Sequence, residues 1–112
     1  MDCLFCKIIN GEIPSKKIYE DEYSYAFYDI QPQAKIHALV IPKKHIASFD
    51  EQDKLTDIEK AALFTSITKV AALLNISGNY RVVSNCGEHA CQSVHHLHFH
   101  ILGGEQLSPN MA

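Results

Sequence analysis

The stretch His-His-Leu-His-Phe-His-Ile-Leu-Gly-Gly at residues 95–104 holds four of the chain's seven histidines within six positions. Three of them, His96, His98 and His100, alternate with Leu97, Phe99 and Ile101. In an extended chain successive side chains point to opposite faces. The pattern therefore predicts a strand over 96–102 with imidazoles on one face and core residues on the other. At about 3.3 Å of rise per residue, neighbouring histidines stand about 6.6 Å apart and the outer two about 13 Å. Zinc needs every donor within about 2.1 Å of itself, a convergence that three residues in a straight row do not reach. The row points instead to acid–base or nucleophilic work, to which an imidazole with an unperturbed pKa of about 6.5 is suited.

Around this row the chain reads as α+β. Residues 3–10, Cys-Leu-Phe-Cys-Lys-Ile-Ile-Asn, predict one or two helical turns closed by Gly11 and Pro14. Residues 16–20 and 23–30 are rich in Tyr, Phe and Ile and flank Asp21-Glu22, which predicts a hairpin. Residues 35–42, Lys-Ile-His-Ala-Leu-Val-Ile-Pro, read as a buried strand. Thr56 and Glu59 have capping-box spacing ahead of Ile58, Leu63, Ile67, Val70 and Leu74, so a long helix is expected over 57–74, ending near Asn75 and Gly78. Residues 80–85 and 96–102 predict two more strands around the polar loop 86–93. The expectation is a five-stranded, mostly antiparallel sheet with one long helix and a short N-terminal one. His37 shares a strand face with Leu39 and Ile41; it is either a satisfied core histidine or the partner that orients a member of the row.

A chain of 112 residues predicts one domain spanning 1–112. A net charge of −3 argues against a nucleic-acid polymer or an anionic membrane as partner. Any phosphate bound here is expected to be one small group in a pocket. The N-terminus lacks the basic, then apolar, character of a signal peptide, and no apolar run approaches a membrane span, so a cytoplasmic location is expected. In that compartment the four cysteines are expected to be thiols or metal ligands.

The run Gln-Ser-Val-His-His-Leu-His-Phe-His-Ile-Leu-Gly-Gly (92–104) resembles the signature of the histidine triad family. The resemblance extends over nearly the whole chain, through residues 6–21, 26–46 and the closing His-Ile-Leu-Gly-Gly, and is to the nucleotide-binding branch. It implies a hydrolase that releases nucleoside monophosphates, adenosine or guanosine monophosphate among them, from an amine on their phosphate through a nucleotidyl–histidine intermediate. By the same resemblance His98 is the nucleophile, His100 and His37 orient and polarise, and His96 completes the triad. Asn85, Cys91, Gln92 and Ser93 fall on the phosphate side, with Cys91 standing where the family usually has glycine. Asp29 matches the ribose-binding acid, and Phe5, Ile8, Phe27, Ile30 and Leu39 match the apolar walls of the base pocket. A dinucleoside polyphosphate hydrolase is the alternative enzyme, but that branch generally has Gln where this chain has His100. The other alternative is a zinc-stabilised nucleotide-binding or interaction module with little turnover.

Cys3 and Cys6 form a C-x-x-C pair, by itself a weak motif and without the βαβ surroundings of a redox pair. Some triad proteins carry zinc on such a pair plus two histidines. Carried over, the ligands of one structural zinc are Cys3, Cys6, His45 and His96, with Cys86 and Cys91 as rivals. Two thiolates and two imidazoles make a closed shell, structural and not catalytic. The resemblance further implies a homodimer whose sheet continues across the two-fold axis. The tail after Gly104 departs from the family's commoner Trp-Pro-Pro ending.

Overall fold

The computed structural model describes residues 3–110. A short helix, α1 (Leu4–Ile9), precedes the hairpin β1 (Lys17–Glu20) and β2 (Ser24–Tyr28), and β3 (Ile36–Pro42) follows. Next come a 3-10 segment (Phe49–Lys54), the long helix α2 (Asp57–Leu73), β4 (Tyr80–Val83), one 3-10 turn (Glu88–Ala90) and β5 (Phe99–Gly103). The strands form one sheet in the order β1-β2-β3-β5-β4, and every neighbouring pair is antiparallel. The expected α+β class and five strands are present, and the segment 49–54 is an element the sequence pattern did not single out.

Alternation along the strands gives the sheet two different faces. Ala26, Ala38, Val40, Phe99 and Ile101 point to α2 and join Leu63, Ile67, Val70 and Ala71 in the larger core. Tyr25, Phe27, Leu39 and Ile41 point the other way and pack with Cys3, Phe5 and Ile8 of the α1 segment. The capping box forms as expected: Thr56 N–H donates to Glu59 Oε1 at 2.8 Å and Glu59 N–H to Thr56 Oγ1 at 3.2 Å. One member of the apolar series is not buried: Ile58 is 62% exposed, because it stands five residues before Leu63 and so about 140° around the helix from the core stripe.

Two buried hydroxyls sit where α2 crosses the hairpin. Ser24 and Ser66 are both fully buried and bond to each other and to Asp21. Burial would raise the Asp21 pKa, but hydrogen bonds from Ser24, the backbone of Tyr23 and Ser24, and Tyr19 more than offset it and hold it low. The carboxylate thus closes the hairpin turn and ties it to α2.

The strand expected from His96 begins at Phe99. Upstream, Leu97 N–H donates to Ile46 O at 2.8 Å and the His98 carbonyl accepts from Ser84 Oγ at 2.9 Å. With those groups bonded to loops and a side chain, residues 96–98 lie outside the ladder. The straight row is therefore broken, and His96 is freed to serve a different group from His98 and His100.

Candidate functional site

Of the four histidines on the α1 side, His37, His96 and His98 are buried and His100 is half-buried. His37 lies on β3 and His100 on β5; with Leu39 opposite His100 and Leu102 opposite His37, the two rings are diagonal neighbours. Their ring centroids are 5.1 Å apart, and His37 Nε2 lies 2.9 Å from His100 Nδ1. His98 stands 5.0 Å from His100 and edge-on to Phe5 at 5.1 Å. Phe5 in turn meets Phe27 edge-on at 5.5 Å, so α1 forms one wall of the site.

The hydrogen bonds determine which nitrogen of each neutral ring carries its proton. Gln33 N–H donates to His37 Nδ1 at 3.0 Å, which leaves the His37 proton on Nε2. From there it donates to His100 Nδ1, so His100 carries its own proton on Nε2. His98 Nδ1–H donates to the carbonyl of His96 at 2.7 Å, and its Nε2 keeps a lone pair. Burial lowers the pKa of His37, His98 and His100, the last to about 4, against the opposing pull of Asp29. At neutral pH the site therefore offers one buried imidazole with a free lone pair beside another with an N–H.

Asp29, at the end of β2, accepts from Gln31 N–H at 2.8 Å and places its second oxygen 3.4 Å from His37 Nε2. It opens onto a cavity of about 340 Å³ whose lining includes Phe5, Ile8, Phe27, Leu39, Ser93, His98 and His100. That volume is of ligand size, with apolar walls and a few polar groups at one end. Ile30 also borders this cavity but is 93% exposed, a rim residue and not the wall expected of it.

The polar loop distributes its residues differently from the expectation. Ser93 faces the first cavity, whereas Asn85 lines a neighbouring one on the far side of His100. Gln92 is buried with its amide committed internally: it accepts from Gly87 N–H and donates to Ala47 O and Val94 O. It braces the loop. Cys91 adopts φ +65°, a left-handed conformation that favours glycine, and its side chain is exposed and lines neither cavity. Among the residues the sequence did not flag, Gln33 sets the His37 tautomer through its backbone. Such a contact leaves no side-chain signature.

Cys3, Cys6, His45 and His96 converge on the other side of Phe5, with one donor atom from each within 4.8 Å of the others. Cys3 Sγ and His96 Nδ1 are 3.2 Å apart, Cys6 Sγ and His45 Nδ1 3.4 Å, and the two Nδ1 atoms 3.2 Å. Bonds of about 2.0–2.3 Å around a tetrahedral ion place such donors about 3.3–3.8 Å from one another. His96 Nε2–H donates to Pro42 O at 2.8 Å, which turns the Nδ1 lone pair toward the sulfurs. Burial and the adjacent Cys3 sulfur push the Cys6 thiol up to about 11, the direction a bound cation would reverse. The four residues thus make a metal-type donor set, and the rivals Cys86 and Cys91 are not part of it.

A model of the HIT domain matches residues 10–107. An uncharacterized HIT-like protein of Methanocaldococcus jannaschii is 48% identical over 102 residues, covering 89% of this chain and 77% of that one. This chain belongs to the HIT family. Among solved structures, a HIT family hydrolase from Clostridium thermocellum superposes with a TM-score of 0.90 at 42% identity, covering 99% of this chain and 97% of that one. A histidine triad nucleotide-binding protein from Candida albicans superposes with a TM-score of 0.82 at 36% identity, covering 99% and 85%. The HIT fold is thus shared over essentially the full chain. No helix among the described residues is long and apolar enough to cross a membrane.

Proposed function

We propose that this HIT protein hydrolyses purine nucleoside phosphoramidates, releasing the nucleoside monophosphate and the amine. The observation that carries this reading is His98, a neutral buried imidazole tethered through Nδ1 with its Nε2 free at a cavity of nucleotide size. The base lies between Phe5, Ile8, Phe27 and Leu39, and Asp29 accepts from the ribose hydroxyls. His98 Nε2 attacks the α-phosphorus as the P–N bond breaks. The leaving nitrogen takes up a proton from solvent and departs as the amine. Water then attacks the phosphorus of the nucleotidyl–His98 intermediate, freeing the imidazole and giving one proton back to solvent. The Nε2–H of His100 and the Ser93 hydroxyl donate to the phosphoryl oxygens, where charge develops.

The test is rapid mixing with adenosine 5′-phosphoramidate labelled on phosphorus, a neutral quench and peptide mapping. Label on His98 is expected. Label on another histidine, or turnover with no labelled protein at any time, would overturn the assignment.

Zinc fits the donor set of Cys3, Cys6, His45 and His96, where it would fasten α1 and the loop after β3 to the segment before β5. About one equivalent per chain is expected in protein purified without chelator. Less than a tenth of that, with unchanged stability in Cys3→Ala, would rule the site out. The reading also includes a homodimer, favoured by the exposed edge strand β4, whose Val82 is 43% exposed. A monomeric mass in sedimentation at micromolar concentration would exclude it. The location consistent with this chemistry is the cytoplasm.

A further inference from the structure

Helix α1 has six residues, and of these only Phe5 and Ile8 are buried. Among the described residues, every side-chain hydrogen bond that ties 3–10 to the rest of the chain ends on Cys3 or Cys6. Cys3 Sγ reaches His96 Nδ1, ahead of β5, and Cys6 Sγ reaches His45 Nδ1, in the loop after β3. Phe5 stands between the two cysteines in the chain, with its ring edge-on to Phe27 and His98. One turn of helix therefore carries both the polar anchors of α1 and a wall of the nucleotide-sized cavity.

The two anchors are also placed to react with each other. Cys3 is the N-cap of α1: its Sγ accepts from Cys6 N–H at 3.3 Å, and its carbonyl accepts from Lys7 N–H at 3.0 Å. Three residues apart on one helical turn, their Cα atoms stand about 5 Å from each other, inside the range of about 4.4–6.8 Å that a disulfide spans. The sulfurs already lie within 4.8 Å. Cys6 is half-buried and Cys3 buried, so an oxidant meets Cys6 first. The chain lacks the surroundings of a disulfide oxidoreductase, but a switch needs only a pair that closes and reopens.

We propose that Cys3 and Cys6 form a peroxide-sensitive switch, whose reversible oxidation to a disulfide unfastens α1 and withdraws Phe5 from the cavity. Hydrogen peroxide gives one oxygen to Cys6: the S–O bond forms as the O–O bond breaks, and one water leaves. The Cys3 sulfur then displaces the hydroxyl of that sulfenic acid, forming the S–S bond and releasing a second water. The sulfurs lose two electrons and the peroxide gains them. The two protons come from the thiols, or from solvent where the sulfurs were thiolates. A disulfide sulfur has no proton to give an imidazole and no thiolate charge to bind a cation. Both ties of α1 to His45 and His96 are thus cut together, and half of the donor set for zinc is gone. The disulfide and the release of α1 rest on the helix geometry; the consequence for nucleotide rests on the phosphoramidase reading above.

The test uses the full chain carrying Cys86→Ser and Cys91→Ser, so that Cys3 and Cys6 are its only thiols. Reduced protein is treated with a small excess of hydrogen peroxide, alkylated, and digested without reductant for mass spectrometry. The peptide spanning residues 1–7 is expected unalkylated and short by the two thiol hydrogens, a change that dithiothreitol reverses. Hydrogen exchange of the amides of 4–9 is expected to quicken on oxidation while α2 stays protected. Adenosine monophosphate should bind about tenfold more weakly, the scale of one aromatic wall lost from the base. Cys6→Asp keeps an anionic metal donor but closes no disulfide, and peroxide should leave its exchange and affinity as they were before treatment. If that variant does not fold, reversal of both changes by dithiothreitol in the parent protein is the control. Absence of the Cys3–Cys6 disulfide, unchanged exchange over 4–9 once it has formed, unchanged nucleotide affinity, or an equal response in Cys6→Asp would each overturn the proposal. A reduced protein that does not bind adenosine monophosphate would instead overturn the nucleotide reading, and hydrogen exchange would still decide the switch.

Discussion

The two faces of the sheet are built from the same strands but solve different problems. On the α2 side, small residues in the strands (Ala26, Ala38) receive a broad helix face, and the interface closes over Val40, Ile101 and Val70, none of them exposed. On the α1 side, a helix of only six residues covers part of the sheet and leaves the rest to imidazoles and cavities. Its buried polar groups are costly: His37, His96 and His98 lie within it, each hydrogen-bonded. A buried polar group with all partners in place is tolerated, and one without them is strongly destabilising. The first face is where stability is gained; the second spends some of it on holding neutral imidazoles in fixed tautomers.

Several substitutions would break or sharpen that division. The largest effect is expected from His98→Ala, which removes the attacking nitrogen but leaves Phe5, Ile8, Phe27 and Leu39 around the base and Asp29 at the ribose. Turnover should fall by roughly 10⁴-fold or more, the scale seen when a covalent nucleophile is deleted. Calorimetric binding of adenosine monophosphate should persist. Retention of even a tenth of wild-type turnover would assign the chemistry to another residue.

Leu63→Ala probes the opposite face. Leu63 is 3% exposed, so the expected cost in urea unfolding is about 2–5 kcal/mol. The kcat of the remaining folded protein should hardly change. A large change in kcat without loss of stability would mean that the two faces are coupled and not separable.

Asp29→Ala is expected to weaken adenosine monophosphate by about ten- to a hundredfold, equivalent to roughly 1.5–3 kcal/mol for a charged hydrogen bond. Binding of inorganic phosphate should stay nearly unchanged. Equal loss for both ligands would locate the effect in the phosphate subsite or in the fold.

The smallest effect per residue is a pH dependence. Burial lowers the pKa of His37, His96, His98 and His100, so between the usual value of 6.5 and the lowered values the unfolded chain binds more protons than the folded one. Stability should be fully present above pH 6.5 and decline as the pH falls toward 4, the value reached by His96 and His100. Unfolding midpoints measured across pH 4–7 should show this slope, and His100→Gln should flatten it. A midpoint that rises on acidification would contradict the neutral-histidine site.

How much of this was legible in the chain depends on whether the cause is local. The apolar run of residues 35–42, the β-branched pair in 80–83 and the apolar series through Leu63, Ile67 and Val70 pointed to the strands and the long helix, because composition and period act residue by residue. The capping box at Thr56 was equally local. The His-x-His-x-His pattern determined that imidazoles gather on one face, and the family resemblance pointed to their neighbours. The resemblance had already assigned His96 to the metal set and His98 and His100 to the site; the tertiary structure supplied the physical cause of that division. Ile46 takes the backbone bond of Leu97, so His96 turns to Cys3, Cys6 and His45, while His98 and His100 stay at the cavity. It also decided the tautomers, which depend on the Gln33 amide and the His96 carbonyl, groups present in every residue and invisible to pattern. The placement of Arg81 beside His100 has the same origin: strands 80–83 and 99–103 meet only when the sheet closes, and register, not sequence spacing, chooses which side chains share a cavity.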